Sequence, residues 1–199
     1  MSLFIETLKI LDGKPVNLFW HNKRLARARR ENYGIEEPLD LLDFIRVPDE
    51  FQSGIVKCRI TYSETITGIT FSHHTPRRVT NLKMVVDDHI DYTFKYADRQ
   101  RLETLLRKQP EKNGDILIIK NGFVTDTSYS NIVFHDGSRW VTPDTPLLAG
   151  TQRDKLIHEG IISEASISPD DLKKFKKARL INALLEFDGM DIDIDQIVW

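Results

Sequence analysis

The stretch YTFKYADRQRL, residues 92–102, places Lys95 between Phe94 and Tyr96, directly before a segment with helical spacing. Lysine side chains are mostly exposed in folded proteins, so a solvated lysine at a strand-to-helix junction is the simpler interpretation. A lysine held near aromatic rings and other cations can instead act as an amine nucleophile. The rest of the chain has to decide between these two interpretations.

The residues before this stretch predict a domain boundary, because strand-like alternation stops there. We predict an N-terminal α/β domain over residues 1–88, a linker over 89–94 and a C-terminal domain over 95–199. Mixed hairpins and short helices give an α+β fold class.

The N-terminal part reads as a hairpin followed by helices. SLFIETLKIL, residues 2–11, and VNLFW, residues 16–20, predict two strands around the turn signal DGKP. A helix follows over 21–33 and ends at Gly34, and PLDLLDFIRVP, residues 38–48, predicts a second helix. The remaining strand-like segments of this part are GIVKCRITYS, TITGITFS and NLKMVVDD.

The C-terminal part continues with a helix over 96–109, before Pro110. Two hairpins are predicted around Asn121-Gly122 and Asp136-Gly137. The remaining segments read as helix, strand, helix and strand, in the order TQRDKLIHEG, IISEASIS, SPDDLKKF and KARLINALLEF.

Composition excludes several classes of protein. The net charge of -2 and pI of about 6.3 offer no basic field for nucleic acid. Cys58 is the only cysteine, which excludes disulfide frameworks, zinc ribbons and iron–sulfur clusters. No apolar run approaches the roughly 20 residues that span a bilayer. We expect a cytoplasmic protein that does not bind a membrane.

Motifs for metals and nucleotides do not appear. His73 and His74 are adjacent and would point to opposite faces of a strand, and DIDID lacks the glycine and distal glutamate of a calcium loop. We therefore predict no metal site. No G-x-G-x-x-G, P-loop or G-x-S-x-G pattern is present either.

One constellation remains, and it suits pyridoxal phosphate. Lys95 supplies an amine, and Asp126 in VTDTSYSN supplies an acid that could pair with a ring nitrogen. Thr151 begins a predicted helix, whose backbone N–H groups suit a phosphate, and Arg24 adds a guanidinium. Each part has a simpler alternative, such as a turn for Asp126 or a helix cap for Thr151.

Five segments of the chain, in order, resemble the class IV aminotransferases. These are the fold-type IV pyridoxal phosphate enzymes, which include branched-chain aminotransferase, D-amino-acid aminotransferase and aminodeoxychorismate lyase. The resemblance implies their two-domain fold, with a small N-terminal α/β sandwich and a C-terminal α/β barrel-like domain. The segments are FIETLKILDGKPVNLFWHNKRL, FKYADRQRL, NGFVTDTSYSNIVF, TPDTPLLAGTQRDKLI and LINALLEF.

The resemblance also implies a role for six residues. Lys95 matches the lysine that forms a Schiff base with pyridoxal phosphate and later moves protons. Arg24 matches the arginine that holds the phosphate, and Asp126 stands where a glutamate usually pairs with the pyridine nitrogen. The other residues that match the phosphate-binding positions are Thr151, Gln152 and Asn182.

The resemblance leaves the reaction open. The segment LINALLEF is similar to the Asn-Ala-Leu segment of aminodeoxychorismate lyases, which favours a lyase that makes 4-aminobenzoate and pyruvate for folate synthesis. The alternative is an aminotransferase of branched-chain or D-amino acids. A third hypothesis is a non-catalytic relative, motivated by Asp126 in place of glutamate and by a start almost directly at FIET, without the family's usual leading strand. The resemblance further implies a small-molecule amine substrate and a homodimer.

Overall fold

A computed structural model of the protein describes residues 2–185 and 187–199 and divides into two compact units. The first unit extends to Pro76 and also contains Phe94–Asp98. The second contains Arg77–Thr93 and Arg99–Trp199.

These units differ from the predicted domains on both sides of the predicted linker. The strand Asn81–Val86 pairs with Gly114–Lys120, so its hydrogen bonds place it in the second unit. Lys95 lies in the first unit instead, because its carbonyl accepts a hydrogen bond from Ile5 N at 2.9 Å. Pairing between distant segments, which local patterns do not report, decides both assignments.

The first unit contains one antiparallel sheet with the strand order β2-β1-β3-β4. Its strands are β1 (Phe4–Leu11), β2 (Lys14–Pro15), β3 (Ile55–Tyr62) and β4 (Ile66–His73). Asp12 and Gly13, with φ of 46° and 75°, connect β1 to β2. Positive φ at both central residues matches the twist of a two-residue hairpin, which confirms the predicted turn.

The predicted strand over residues 16–20 is wrong. β2 ends at Pro15, and after one further backbone bond, from Val16 N to Lys9 O at 2.8 Å, the chain leaves the sheet. Asn17 then adopts a left-handed conformation, with φ of 58°, and α1 (Leu18–Tyr33) begins. The apolar residues of VNLFW thus mostly belong to a helix start.

α1 ends as the sequence predicts. Gly34 is left-handed, with φ of 68°, and its N–H reaches the carbonyls of Arg29 and Arg30. Leu25 and Ala28 are buried at helical spacing, so they form the inner face of the helix.

The predicted second helix over 38–48 is wrong. Only one 3-10 turn, Leu41–Asp43, forms there. The Asp40 carboxylate accepts a hydrogen bond from Leu42 N at 2.9 Å, a local bond that competes with continued helix. Side chains from this turn, α1 and the sheet share one apolar core, made of Phe4, Leu8, Ile10, Leu25, Ala28, Leu41, Ile45, Val56, Cys58, Ile60 and Tyr62.

The second unit contains two sheets, with the strand orders β13-β5-β6-β7 and β10-β9-β8-β11-β12. The strands of the first of these sheets are β5 (Asn81–Val86), β6 (Gly114–Lys120), β7 (Phe123–Thr127) and β13 (Ile197–Val198). Those of the other are β8 (Asn131–His135), β9 (Trp140–Pro143), β10 (Ile162–Ala165), β11 (Lys177–Ile181) and β12 (Asp191–Asp193). The α-helices among the described residues of this unit are α2 (Gln100–Leu106) and α3 (Thr151–His158).

Both hairpins predicted for this part are confirmed. Asn121 and Gly122 have φ of 51° and 82° and join β6 to β7. Asp136 joins β8 to β9, where its carboxylate accepts bonds from the backbone N–H groups of Ser138 and Arg139. These turns form because each sequence supplies the conformation or side-chain bond that a tight reversal needs.

Three predicted elements are present but differ in extent or type. α2 begins at Gln100, since 96–98 belong to the first unit. Pro169–Lys174 is a 3-10 helix, and β11 ends at Ile181 because the Asn182 side chain turns the chain. The main core of this unit consists of Val79, Leu82, Met84, Leu117, Ile119, Val124, Ile132, Phe134, Val141, Ile167, Leu172, Ala178, Leu180, Ile192 and Ile197.

Among the described residues, no helix has the length and apolar character that crossing a bilayer requires.

Candidate active site

Arg24 is held by a buried carboxylate in the first unit. Its Nε donates to Glu6 Oε1 at 2.8 Å and its Nη2 to Glu6 Oε2 at 2.6 Å. The Glu6 side chain is fully buried and that of Arg24 is 12% exposed. A two-bond contact of this kind fixes the plane of the guanidinium.

His21 is the second partner of Glu6. Its Nδ1 lies 2.6 Å from Glu6 Oε2, and the ring is fully buried. Burial lowers the pKa of His21, so the neutral ring is favoured, and the carboxylate requires the proton to be on Nδ1. Burial alone would raise the pKa of Glu6, but the charge of Arg24 and the bonds from both partners outweigh burial and lower this pKa to about 2.

Lys95 lies beside this cluster. Tyr96 forms an antiparallel bridge with Phe4, and the Phe4 ring contacts the rings of both Phe94 and Tyr96. Lys95 is half-buried, and its positive charge contributes to the lowered pKa of His21. The structure therefore brings Lys95 and Arg24 close to the same imidazole.

Asp126 is a buried acid on β7 in the second unit. Its side chain accepts a hydrogen bond from Asn131 Nδ2 at 2.7 Å and another from Leu148 N at 2.9 Å. Burial raises the pKa of Asp126 to about 6, although these bonds and the charge of Arg153 favour the ionised form. The carboxyl is thus a stronger base than an ordinary aspartate but still mainly ionised at neutral pH.

The start of α3 is packed against Asn131. Gly150 precedes the helix, and a Cβ on this residue would lie 1.9 Å from Asn131 Oδ1. Asn131 Nδ2 also donates to Leu148 O at 2.9 Å, so the asparagine links Asp126 to the segment before the helix. Thr151 and Gln152 are buried in the first turn.

Asn182 stands at the end of β11, next to the same region. Its Nδ2 donates to Ser130 Oγ at 2.8 Å, and its Oδ1 accepts bonds from Leu184 N and Leu185 N. Ser130 immediately precedes Asn131. The second unit therefore links Asn182 to Asp126 and to the start of α3 through two consecutive residues.

The six predicted site residues are divided between the units. Arg24 and Lys95 belong to the first. The four that belong to the second are Asp126, Thr151, Gln152 and Asn182.

Sequence reasoning missed Glu6 and His21, although both left a signal. Glu6 shares one face of β1 with Phe4 and Leu8, since side chains alternate along a strand. An acid on an apolar face has to find a buried partner. His21 lies four residues before Leu25, which places it on the inner face of α1.

The chemistry of these residues fits pyridoxal phosphate. An arginine held by two bonds and the start of an eight-residue helix suit a phosphate. The amine of Lys95 suits an aldehyde, and the carboxylate of Asp126 suits a protonated ring nitrogen.

Comparisons with known proteins also point to a pyridoxal phosphate enzyme. The family model for class IV amino-transferases matches residues 3–187. An uncharacterized protein of Haemophilus influenzae is 39% identical over 186 residues, which cover 92% of this chain and 98% of that protein.

Solved structures show the same likeness. A protein of Haemophilus somnus 129pt, provisionally named as a 4-amino-4-deoxychorismate lyase, is 34% identical, with a TM-score of 0.85. The match covers 92% of this chain and 97% of that one. A protein of Mesorhizobium loti, provisionally named as an amino-acid aminotransferase, is 20% identical with a TM-score of 0.79, and 97% and 98% of the two chains are covered. The second likeness is one of fold.

Proposed function

The chain belongs to the class IV aminotransferase family, and on this premise we propose that it is a 4-amino-4-deoxychorismate lyase, which forms 4-aminobenzoate and pyruvate. As a member of the family it is a pyridoxal phosphate-dependent lyase or transaminase. The observation that carries the lyase proposal is the segment LINALLEF, in which Asn182 makes the turn after β11. The 34% identity to a protein provisionally named as that lyase supports it.

Lys95 is the residue that we assign to the proton transfer. Its Nζ would hold the aldehyde of the cofactor and, after the substrate amine has replaced it there, would take the proton from the carbon that bears that amine. When bound, the cofactor supplies an electron sink for that carbon. The rings of Phe94 and Tyr96 against Phe4 fix the backbone on either side of Lys95, which restricts where its amine can reach.

Asp126 is assigned to the ring nitrogen. Its oxygens accept bonds from fixed donors, Asn131 Nδ2 at Oδ1 and Leu148 N at Oδ2, so the carboxylate cannot rotate freely. A carboxylate has about four lone-pair sites, so the group can still accept from a protonated nitrogen beside these bonds. A pKa of about 6 keeps the carboxylate ionised at pH 7 while making it a good acceptor.

The phosphate is assigned to four residues. Within the first unit, Arg24 on α1 would supply positive charge to a phosphate. Within the second, the helix start at Thr151 and Gln152 would supply backbone N–H groups. The fourth residue is Asn182, whose side chain stabilises the turn after β11.

The test is to incubate purified protein with pyridoxal phosphate and aminodeoxychorismate and to follow 4-aminobenzoate by fluorescence. We expect product from wild type and none from Lys95→Ala, while Lys112→Ala, which removes a lysine outside the proposed set, behaves as wild type. Borohydride reduction and peptide mass analysis should find a pyridoxyl group on the peptide that contains Lys95. Absence of that group from Lys95 would end the assignment of this residue.

The transaminase is the second candidate, since the family contains both reactions. If aminodeoxychorismate gives no product, a panel of L- and D-amino acids should change the visible spectrum of the loaded protein. Binding of the cofactor with no response to any amine substrate would favour a non-catalytic relative.

A homodimer, a role in folate synthesis and a cytoplasmic location belong to the same proposal. Light scattering at micromolar concentration tests the first of these, and a fully active monomer would refute it. Loss of growth without 4-aminobenzoate on deletion of the gene tests the second, and cell fractionation tests the third.

A further inference from the structure

We propose that Glu6 is a positioning residue, which holds the Arg24 guanidinium in the orientation that binds the cofactor phosphate, with His21 as the second anchor of the carboxylate. This inference rests on the proposed role of Arg24.

Glu6 is a charged residue on an otherwise apolar face of its strand. It occupies the face of β1 that also carries Phe4, Leu8 and Ile10, all of them in the apolar core. Burial of an ionised carboxylate is unfavourable, and apolar side chains of similar volume often serve stability at least as well as a buried ion pair. Stability alone therefore gives a weak reason for a glutamate at this place.

The Glu6 carboxylate holds Arg24 by two hydrogen bonds and is itself held by His21. Glu6 accepts from Arg24 Nε and Nη2, which form one edge of the guanidinium. Oε2 also receives the bond from His21 Nδ1, at 2.6 Å. The carboxylate is thus fixed by two side chains of α1, and its own orientation fixes the guanidinium plane.

Arg24 differs from the neighbouring arginines of α1 in the burial of its partner. Arg27 and Arg30 on the same helix have exposed side chains, 39% and 59%, and their carboxylate partner Glu31 is itself exposed. Exposed pairs of this kind hold a side chain weakly. Arg24 has a fully buried partner on another element of the unit.

A guanidinium that is already ordered binds an anion with less loss of side-chain freedom. Glu6 therefore acts on the affinity for the phosphate group and not on the affinity for the pyridine ring. An effect on the affinity for the phosphate group alone distinguishes a positioning role of Glu6 from a general structural role.

The experiment measures the dissociation constants of pyridoxal phosphate and of pyridoxal, which lacks the phosphate, by absorbance titration of the cofactor-free protein. For Glu6→Gln we expect about tenfold weaker binding of pyridoxal phosphate and, within about twofold, unchanged binding of pyridoxal. Arg24→Met should lose most of the difference between the dissociation constants of pyridoxal phosphate and pyridoxal. Circular dichroism and thermal melts accompany each variant.

Arg29→Met is the matched control. Arg29 is a buried arginine of the same helix, with bonds to the carbonyls of Glu64 and Glu37 and none to the cluster among those observed. Its loss should lower the melting temperature and leave both dissociation constants unchanged. Should Glu6→Gln not fold, Glu6→Asp keeps the charge, withdraws the carboxylate by one methylene and should shift the two constants in the same pattern.

Equal weakening of both ligands by the Glu6 variants would show a structural role and overturn the inference, as would no change in either constant. If Arg24→Met keeps the full preference for pyridoxal phosphate, the proposed role of Arg24 fails and the inference fails with it. If only the Arg24 variant loses the preference, the proposed function stands and the role of Glu6 is refuted.

Discussion

Replacing Gly150 by alanine should destabilise the second unit, because the new methyl group would displace the side chain of Asn131. The backbone at Gly150, with φ of -76° and ψ of 142°, is open to any residue, so strain of the main chain is not the cause. The new Cβ would lie 1.9 Å from Asn131 Oδ1 and 3.1 Å from its Cγ, so Asn131 has to move.

The magnitude follows from the bonds that Asn131 would lose. Its bond to the Asp126 carboxylate is charge-assisted and contributes about 1.5–3 kcal/mol, and its bond to Leu148 O contributes about 1 kcal/mol. Alanine lowers the conformational entropy of the unfolded chain, which adds about 0.4–1 kcal/mol to the free energy of unfolding. We expect a net loss of about 2–3 kcal/mol in the free energy of unfolding.

The assay is urea unfolding of the cofactor-free protein, followed by circular dichroism. Gly68→Ala is the control, because a Cβ at Gly68 meets nothing within 4 Å. The double variant Gly150→Ala/Asn131→Ala should be about as stable as Asn131→Ala alone, since the clash is then gone. A loss below about 1 kcal/mol for Gly150→Ala, or additive effects of the two changes, would refute the reasoning.

Three further predictions concern acid stability, thiol reactivity and the core. The pKa of Glu6 falls from 4.5 to about 2 on folding, so the unfolded chain binds the proton first as the pH drops. Protonation of this group should therefore lower the free energy of unfolding by about 3 kcal/mol between pH 4.5 and 2. Acid denaturation of Glu6→Gln should lack that component. Burial raises the pKa of Cys58 to about 12, so a thiol reagent should label native protein only as fast as it opens, and rapid stoichiometric labelling would contradict the buried position. Phe134 is fully buried, and urea unfolding should show a loss of about 3–5 kcal/mol for Phe134→Ala, against less than about 0.5 kcal/mol for the exposed Phe123→Ala.

Elements whose signals are local follow from the sequence. The turns at Asp12-Gly13 and Asn121-Gly122 need positive φ, and their residue types provide it. The end of α1 at Gly34 follows for the same reason. Where a side chain makes a competing local bond, as Asp40 does to Leu42 N, periodicity alone predicted a helix that does not form.

The identity of the site residues follows from their order in the chain, because the resemblance matches segments and not distances. The sequence by itself thus determined the family, the cofactor and the candidate amine, acid and phosphate-binding residues.

Only the tertiary structure decided how these groups are supported. The contact of Glu6 with Arg24 joins residues 18 apart, and that of Asn182 with Ser130 joins residues 52 apart. The pairing of Ile5 with Lys95 returns residues 94–98 to the first unit. Such contacts depend on which strands and helices pack together. Burial, together with the charged and hydrogen-bonding partners that packing brings, then sets the charge states of Glu6, His21 and Asp126, a property that no local pattern contains.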